Sequence, residues 1–114
     1  MAKNYLLTYA EQLATDVELL CQNIKAPSNT LLQIRKSSSS VYANIREANY
    51  GQSKADMLSK LQIALKECYE TEYWLELFVK SDILNREAAV DLYNQCGTIR
   101  RILIASINTA KENG

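Results

Sequence analysis

Apolar residues recur along the chain at alternating intervals of three and four, in four separate blocks. In the first block Leu6, Ala10, Leu13, Val17, Leu20 and Ile24 keep this rhythm. The spacing holds one stripe of a helix apolar and predicts a helix over 3–24. The second block, Leu31, Ile34, Ser38, Val41, Ile45 and Ala48, predicts a helix over 30–49. A run of four serines, 37–40, lies inside that period. Helical phase continues through it, so the serines read as small residues that let a neighbouring helix come close. The third block carries Leu58, Leu61, Leu65, Cys68, Glu72, Leu75 and Val79 and predicts a helix over 54–79. The fourth carries Ala89, Leu92, Cys96, Ile99, Leu103 and Ser106 and predicts a helix over 86–111.

Stop and start signals separate the blocks. Pro27 ends the first helix, and Ser28 or Asn29 is expected to cap the second. Gly51 is expected to adopt the left-handed conformation that closes a helix. Ser53 followed by Asp56 approximates a capping box, and Asn85 is a cap for the last helix. Gly97 interrupts the fourth helix at a cost of about 1 kcal/mol relative to Ala, which suggests a close contact. Four amphipathic helices joined by short links predict an all-α fold. Its form is an up-down-up-down antiparallel four-helix bundle in a single domain, 1–114.

Composition narrows the function. The chain has 114 residues, with 13 Lys+Arg against 13 Asp+Glu. Net neutrality gives no general attraction to nucleic acid or anionic lipid. With three Gly and one Pro, the chain is too poor in turn residues for an all-β fold. It contains no His, which removes His-based triads, bases and metal sites. Cys21, Cys68 and Cys96 are odd in number and form no CxxC, so they read as reduced, buried thiols of a cytoplasmic protein. No apolar run is long enough to span a membrane, and the first residues lack the apolar core of a signal peptide.

Three features strain a lone bundle. Ile63, Trp74, Leu77 and Phe78 project opposite the Leu58–Leu75 seam of the third helix. They predict an oligomer interface. The alternative is that the link residues Ile83 and Leu84 cover the helix end. Glu72 falls in phase with the core seam, where a carboxylate needs a partner or water. Arg35 is the expected partner in a structural ion pair, the alternative being a solvated Glu72 at the bundle edge. Arg35, Lys36, Arg46, Arg100 and Arg101 would form a basic stripe if helices two and four share a face. The bland alternative is an ordinary solvated surface. No catalytic, cofactor-binding or metal-binding set emerges: Glu70 and Glu72 lie about 200° apart on a helix and do not converge.

The stretch 33–84 reads Gln33-Ile34-Arg35-Lys36, then Val41-Tyr42-Ala43-Asn44-Ile45-Arg46-Glu47, then Ser53-Lys54, Ile63-Ala64-Leu65 and Glu70-Thr71-Glu72. This resembles the small four-helix-bundle proteins encoded in intervening sequences of bacterial 23S ribosomal RNA genes, the S23-like family. That family reads Q-[LI]-R-R, small residues, S/A-N-I-A-E-G, a basic turn with Ser-Lys, and E-L-E. Here Arg46, Ala48 and Thr71 depart from the pattern. The resemblance implies an up-down bundle assembled as a homopentamer. It also implies kinship with accessory proteins of diversity-generating retroelements, which bind nucleic acid and a reverse transcriptase. Two functions follow as expectations. One is a non-enzymatic oligomer contacting RNA or DNA phosphates through Arg35, Lys36, Arg46, Arg100 and Arg101. The other is a protein-interaction module that does not touch nucleic acid.

Overall fold

The computed structural model describes residues 2–113; Met1 and Gly114, the ends of the expected domain, lie outside the described residues. Four helices account for nearly all of them: α1 (Ala2–Asn23), α2 (Ser28–Ala48), α3 (Lys54–Lys80) and α4 (Arg86–Glu112). Short links force each helix back along its predecessor. The helices close a ring in which α1 packs on α2 and α4, and α3 packs on α2 and α4. The diagonal pairs α1/α3 and α2/α4 make no close approach among the described residues. The result is an all-α rod of 45 × 21 × 20 Å.

The caps show local chemistry at work. Ser53 Oγ accepts the Asp56 backbone N–H at 3.0 Å, and Asn85 Oδ1 accepts that of Ala88 at 2.8 Å. Each satisfies a donor that the first helical turn leaves free. Ser28 and Asn29 do not cap α2. Pro27 occupies that position without a side-chain bond, and its carbonyl accepts from Thr30 and Leu31. Gly51 is not left-handed; the positive φ, 62°, falls at Asp82 in the α3–α4 link. Gly51 is small for another reason: a Cβ there would lie 3.1 Å from Met57 N and 3.3 Å from the Ala48 carbonyl.

The core runs the length of the rod through Leu13, Val17, Ile34, Val41, Ile45, Leu75, Ile99 and Leu103. On α3 its phase differs from the expected seam. Leu61, Cys68 and Leu75 are buried as expected, but Ala64, Thr71 and Phe78 replace Leu65, Glu72 and Val79. A shift of one residue turns each position by about 100°. Small side chains on both helices explain the shift. Ser37 and Ser38 of α2 are buried, and the Thr71 hydroxyl lies 2.9 Å from Ser37 Oγ and 2.9 Å from the Glu67 carbonyl. Ser37 and Ser38 in turn donate to the Ile34 carbonyl. These bonds satisfy the buried hydroxyls and let α2 and α3 approach closely.

The same rotation corrects the reading of Phe78. It is fully buried in the single chain and belongs to the core, not to an oligomer interface. The link covers it, as the alternative anticipated: Leu84 is buried, and the Ile83 and Leu84 backbone N–H groups both donate to the Phe78 carbonyl.

Candidate functional site

The described residues hold no cluster of three or more His, Cys, Asp or Glu placed to bind a metal. Cys21, Cys68 and Cys96 are buried and unbridged. Cys68 and Cys96 nevertheless meet across α3 and α4, where Cys68 Sγ donates to the Cys96 carbonyl at 3.3 Å. Contact with Cys68 and then burial push the Cys96 thiol far up, and burial raises Cys21. Such thiols are poor nucleophiles.

The expected Arg35–Glu72 pair does not form. Arg35 instead makes a two-pronged bond to Glu18 of α1, Nε to Oε1 at 2.9 Å and Nη2 to Oε2 at 3.0 Å. Glu72 accepts from Arg100 Nε of α4 at 2.9 Å. The reason is rotational: α2 and α3 meet through Ser37 and Thr71, which turns Arg35 toward α1 and Glu72 toward α4. Arg100 also lies over the Tyr69 ring, 5.7 Å from its centre. Glu72 thus sits at a half-buried seam with charge and shape both satisfied. Arg35 holds the Glu18 carboxyl below its ordinary range, helped by Gln22.

The five expected phosphate contacts do not form one stripe within a chain. Arg35, Lys36 and Arg46 are on α2, Arg100 and Arg101 on α4, and these helices occupy opposite corners. Arg35 and Arg100 are committed to carboxylates. Among the described residues Lys36, Arg46 and Arg101 have no carboxylate within ion-pair distance. Arg101 lies against Gly97, its Nη1 3.3 Å from where a Cβ would sit.

Two outer helix faces remain. On α3, Ile63, Glu67, Glu70, Trp74 and Leu77 repeat at four and three, a second seam turned away from the core. Ile63 is 39% exposed, Leu77 40% and the adjoining Tyr73 54%. Trp74 is half-buried, edge-on to Tyr73 at 4.9 Å and tilted against Phe78 at 6.3 Å. Its Nε1 is shielded and has no acceptor among the described residues. Glu67 and Glu70 stand one turn apart in the middle of this seam. Burial, then the Glu70 carboxyl, raises Glu67 above the ordinary range; Lys66 and Lys36 act against the rise.

On α2, Leu32, Lys36, Ser39, Ala43 and Arg46 repeat the same way, and Tyr50 in the turn that follows continues the period; all are exposed. Two open depressions of about 810 and 470 Å³ lie along this face and share Ser39 and Ala43. Small residues thus make the floor, and Lys36 and Arg46 stand on either side. Sequence reasoning named Lys36 and Arg46 but not the stripe that joins them, because it holds few apolar residues. Its signal is the unbroken 4-3 spacing of residues that the core does not use.

Ring closure by four antiparallel helices, with polar pairs at the seams, places the molecule among up-down four-helix bundles. Over residues 4–105 the chain matches the family described as 23S rRNA-intervening sequence protein, and it belongs to that family. It is similar to a crystal structure of a protein of unknown function from the S23 ribosomal protein family of Bacteroides thetaiotaomicron VPI-5482. The two share 36% identity with a TM-score of 0.88, over 95% of this chain and 99% of that one. Comparison with proteins of curated function gave no significant match. No helix among the described residues is long and apolar enough to cross a membrane.

Proposed function

We propose that the protein is a non-enzymatic assembly module that self-associates through the outer face of α3. One observation carries this reading: Ile63, Tyr73 and Leu77 are exposed beside a half-buried Trp74 on a helix whose opposite face already fills the core. Large apolar side chains left exposed on an outer helix face are characteristic of an interface. A homopentamer is the assembly that the family resemblance implies. Three unbridged thiols support a reducing, cytoplasmic setting. Light scattering at micromolar concentration tests the reading. The wild type should exceed the mass of one chain, and Leu77→Asp with Tyr73→Asp should reduce it toward that mass without loss of helical signal. A monomeric wild type would refute it.

A second reading is nucleic-acid contact. Among the described residues Lys36, Arg46 and Arg101 have no carboxylate within ion-pair distance, and the family's description links it to 23S rRNA. Repetition around an assembly would multiply these few cations into a larger field. Retention of an RNA oligomer that falls steeply between 50 and 200 mM salt is the expected result. Binding that is absent at low salt would dismiss this reading.

A further inference from the structure

The self-association reading leaves open which surface receives α3. We propose that the outer ridge of α3 docks into the outer groove of α2 on a second copy of the chain, with Glu67 and Glu70 of the ridge set between Lys36 and Arg46 of the groove.

Shape and charge both select this occupant. The ridge is bulky at Ile63, Trp74 and Leu77 and carries Glu67 and Glu70 between them. The groove is shallow-floored at Ser39 and Ala43 and carries Lys36 and Arg46 beyond them. Each face repeats at four and three, the period at which two helices pack along a common seam. At 1.5 Å per residue the two cations are about 15 Å apart along α2, and the two carboxylates about 4.5 Å apart along α3. Centred on one another, the acid pair lies over the small-residue floor. Each cation is then about 5 Å farther along the axis, a distance that an extended Lys or Arg side chain covers.

Of the other charged groups lining the groove, Asp56 is an acid beside Lys60, and the rest are paired within the chain. Arg35 is held by Glu18, and Lys60 by Glu47 at 3.0 Å. Lys66 and Lys36 already face Glu67 within the chain, yet they do not overcome its burial and the Glu70 carboxyl. A third cation, arriving from a second copy, relieves that repulsion. The matching α3-on-α3 contact would bring four carboxylates together and is disfavoured.

Because the two faces differ, the contact is head-to-tail, and each chain offers one ridge and one groove. That asymmetry supplies the experiment. Variant one carries Glu67→Lys and Glu70→Lys; variant two carries Lys36→Glu and Arg46→Glu. Circular dichroism and urea unfolding establish that each is folded, and Ser39→Trp, which fills the groove floor without changing charge, serves as an independent block. Light scattering should show each variant alone, and Ser39→Trp, at the mass of a single chain. An equimolar mixture of the two charge variants should associate again, into species of alternating composition heavier than one chain, because each ridge then finds a complementary groove on the other variant. Variant two retaining wild-type mass would overturn the inference and leave self-association through α3 standing. A mixture that stays monomeric would do the same. If variant two keeps its assembled mass but no longer retains RNA, the groove belongs to nucleic acid and the inference is wrong. A monomeric wild type overturns this inference and the self-association reading together.

Discussion

Replacing Arg100 with Met removes the guanidinium that Glu72 faces and leaves the carboxylate in a seam where its side chain is only 16% exposed. Exposed ion pairs contribute about 0–1 kcal/mol, whereas stranding one charge of a fully buried pair costs about 3–5 kcal/mol. Arg100 is itself 30% exposed, so the site lies between these limits. Loss of the contact with the Tyr69 ring adds roughly 0.5–1 kcal/mol. The expected destabilisation is about 2 kcal/mol, or a fall in Tm of some 6–10 °C for a domain of this size. Glu72→Gln keeps an acceptor and loses only charge, and should cost about 1 kcal/mol. Urea unfolding of both single variants and the double variant gives the coupling, expected near 1–1.5 kcal/mol and only partly reduced by 1 M salt. A coupling within error of zero would refute the reasoning. So would a coupling of similar size between Glu72 and Arg35, which the structure assigns to different seams.

Phe78→Ala should destabilise the chain by about 3–5 kcal/mol through a core cavity, whereas Leu77→Ala should cost under about 1 kcal/mol and instead weaken assembly. Equal losses of stability would contradict the assigned phase of α3. Cys21, Cys68 and Cys96 should resist thiol reagents in the native protein and react together on unfolding; rapid native labelling of all three would count against their burial. Glu67 binds its proton more tightly in the folded chain than in the unfolded one. Its contribution to stability is therefore present at low pH and lost as pH rises through its raised folded value. Glu67→Gln should remove that component and stabilise the chain at pH 7, measured by urea titration between pH 4.5 and 7.5. An unchanged pH profile would show that the carboxyl pair exerts no strain.

The bundle was legible because apolar residues at three and four leave few other folds open, and because Pro27, Ser53 and Asn85 mark helix boundaries. Rotation about each axis was less legible. On α3 the residues Leu58, Leu65 and Val79 compete with Ala64, Thr71 and Phe78 for the inward face, and hydrophobicity alone favours the former. Close contact with Ser37 decides for the latter, and that contact is invisible until two helices are seen together. The Arg35–Glu72 expectation failed for the same reason: adjacency of helices says nothing about which flank a side chain leaves from. Phe78 was wrongly grouped with Trp74 because both lie off the expected seam, though Phe78 packs inward under Leu84 and Trp74 stays at the rim. Gly51 illustrates a subtler loss, since the need for a missing Cβ was apparent while its cause, proximity to Met57, was not.

Trp74 is the only tryptophan of the chain, and it stands at the border between the core residue Phe78 and the exposed strip. Its intrinsic emission is therefore an optical readout of that border. Covering the α3 face should shift the emission to shorter wavelength as water leaves the indole, with helical content unchanged. Unfolding should move it the opposite way. The protein thus carries a label-free reporter whose colour separates association from denaturation in a single titration, at concentrations well below those that scattering requires.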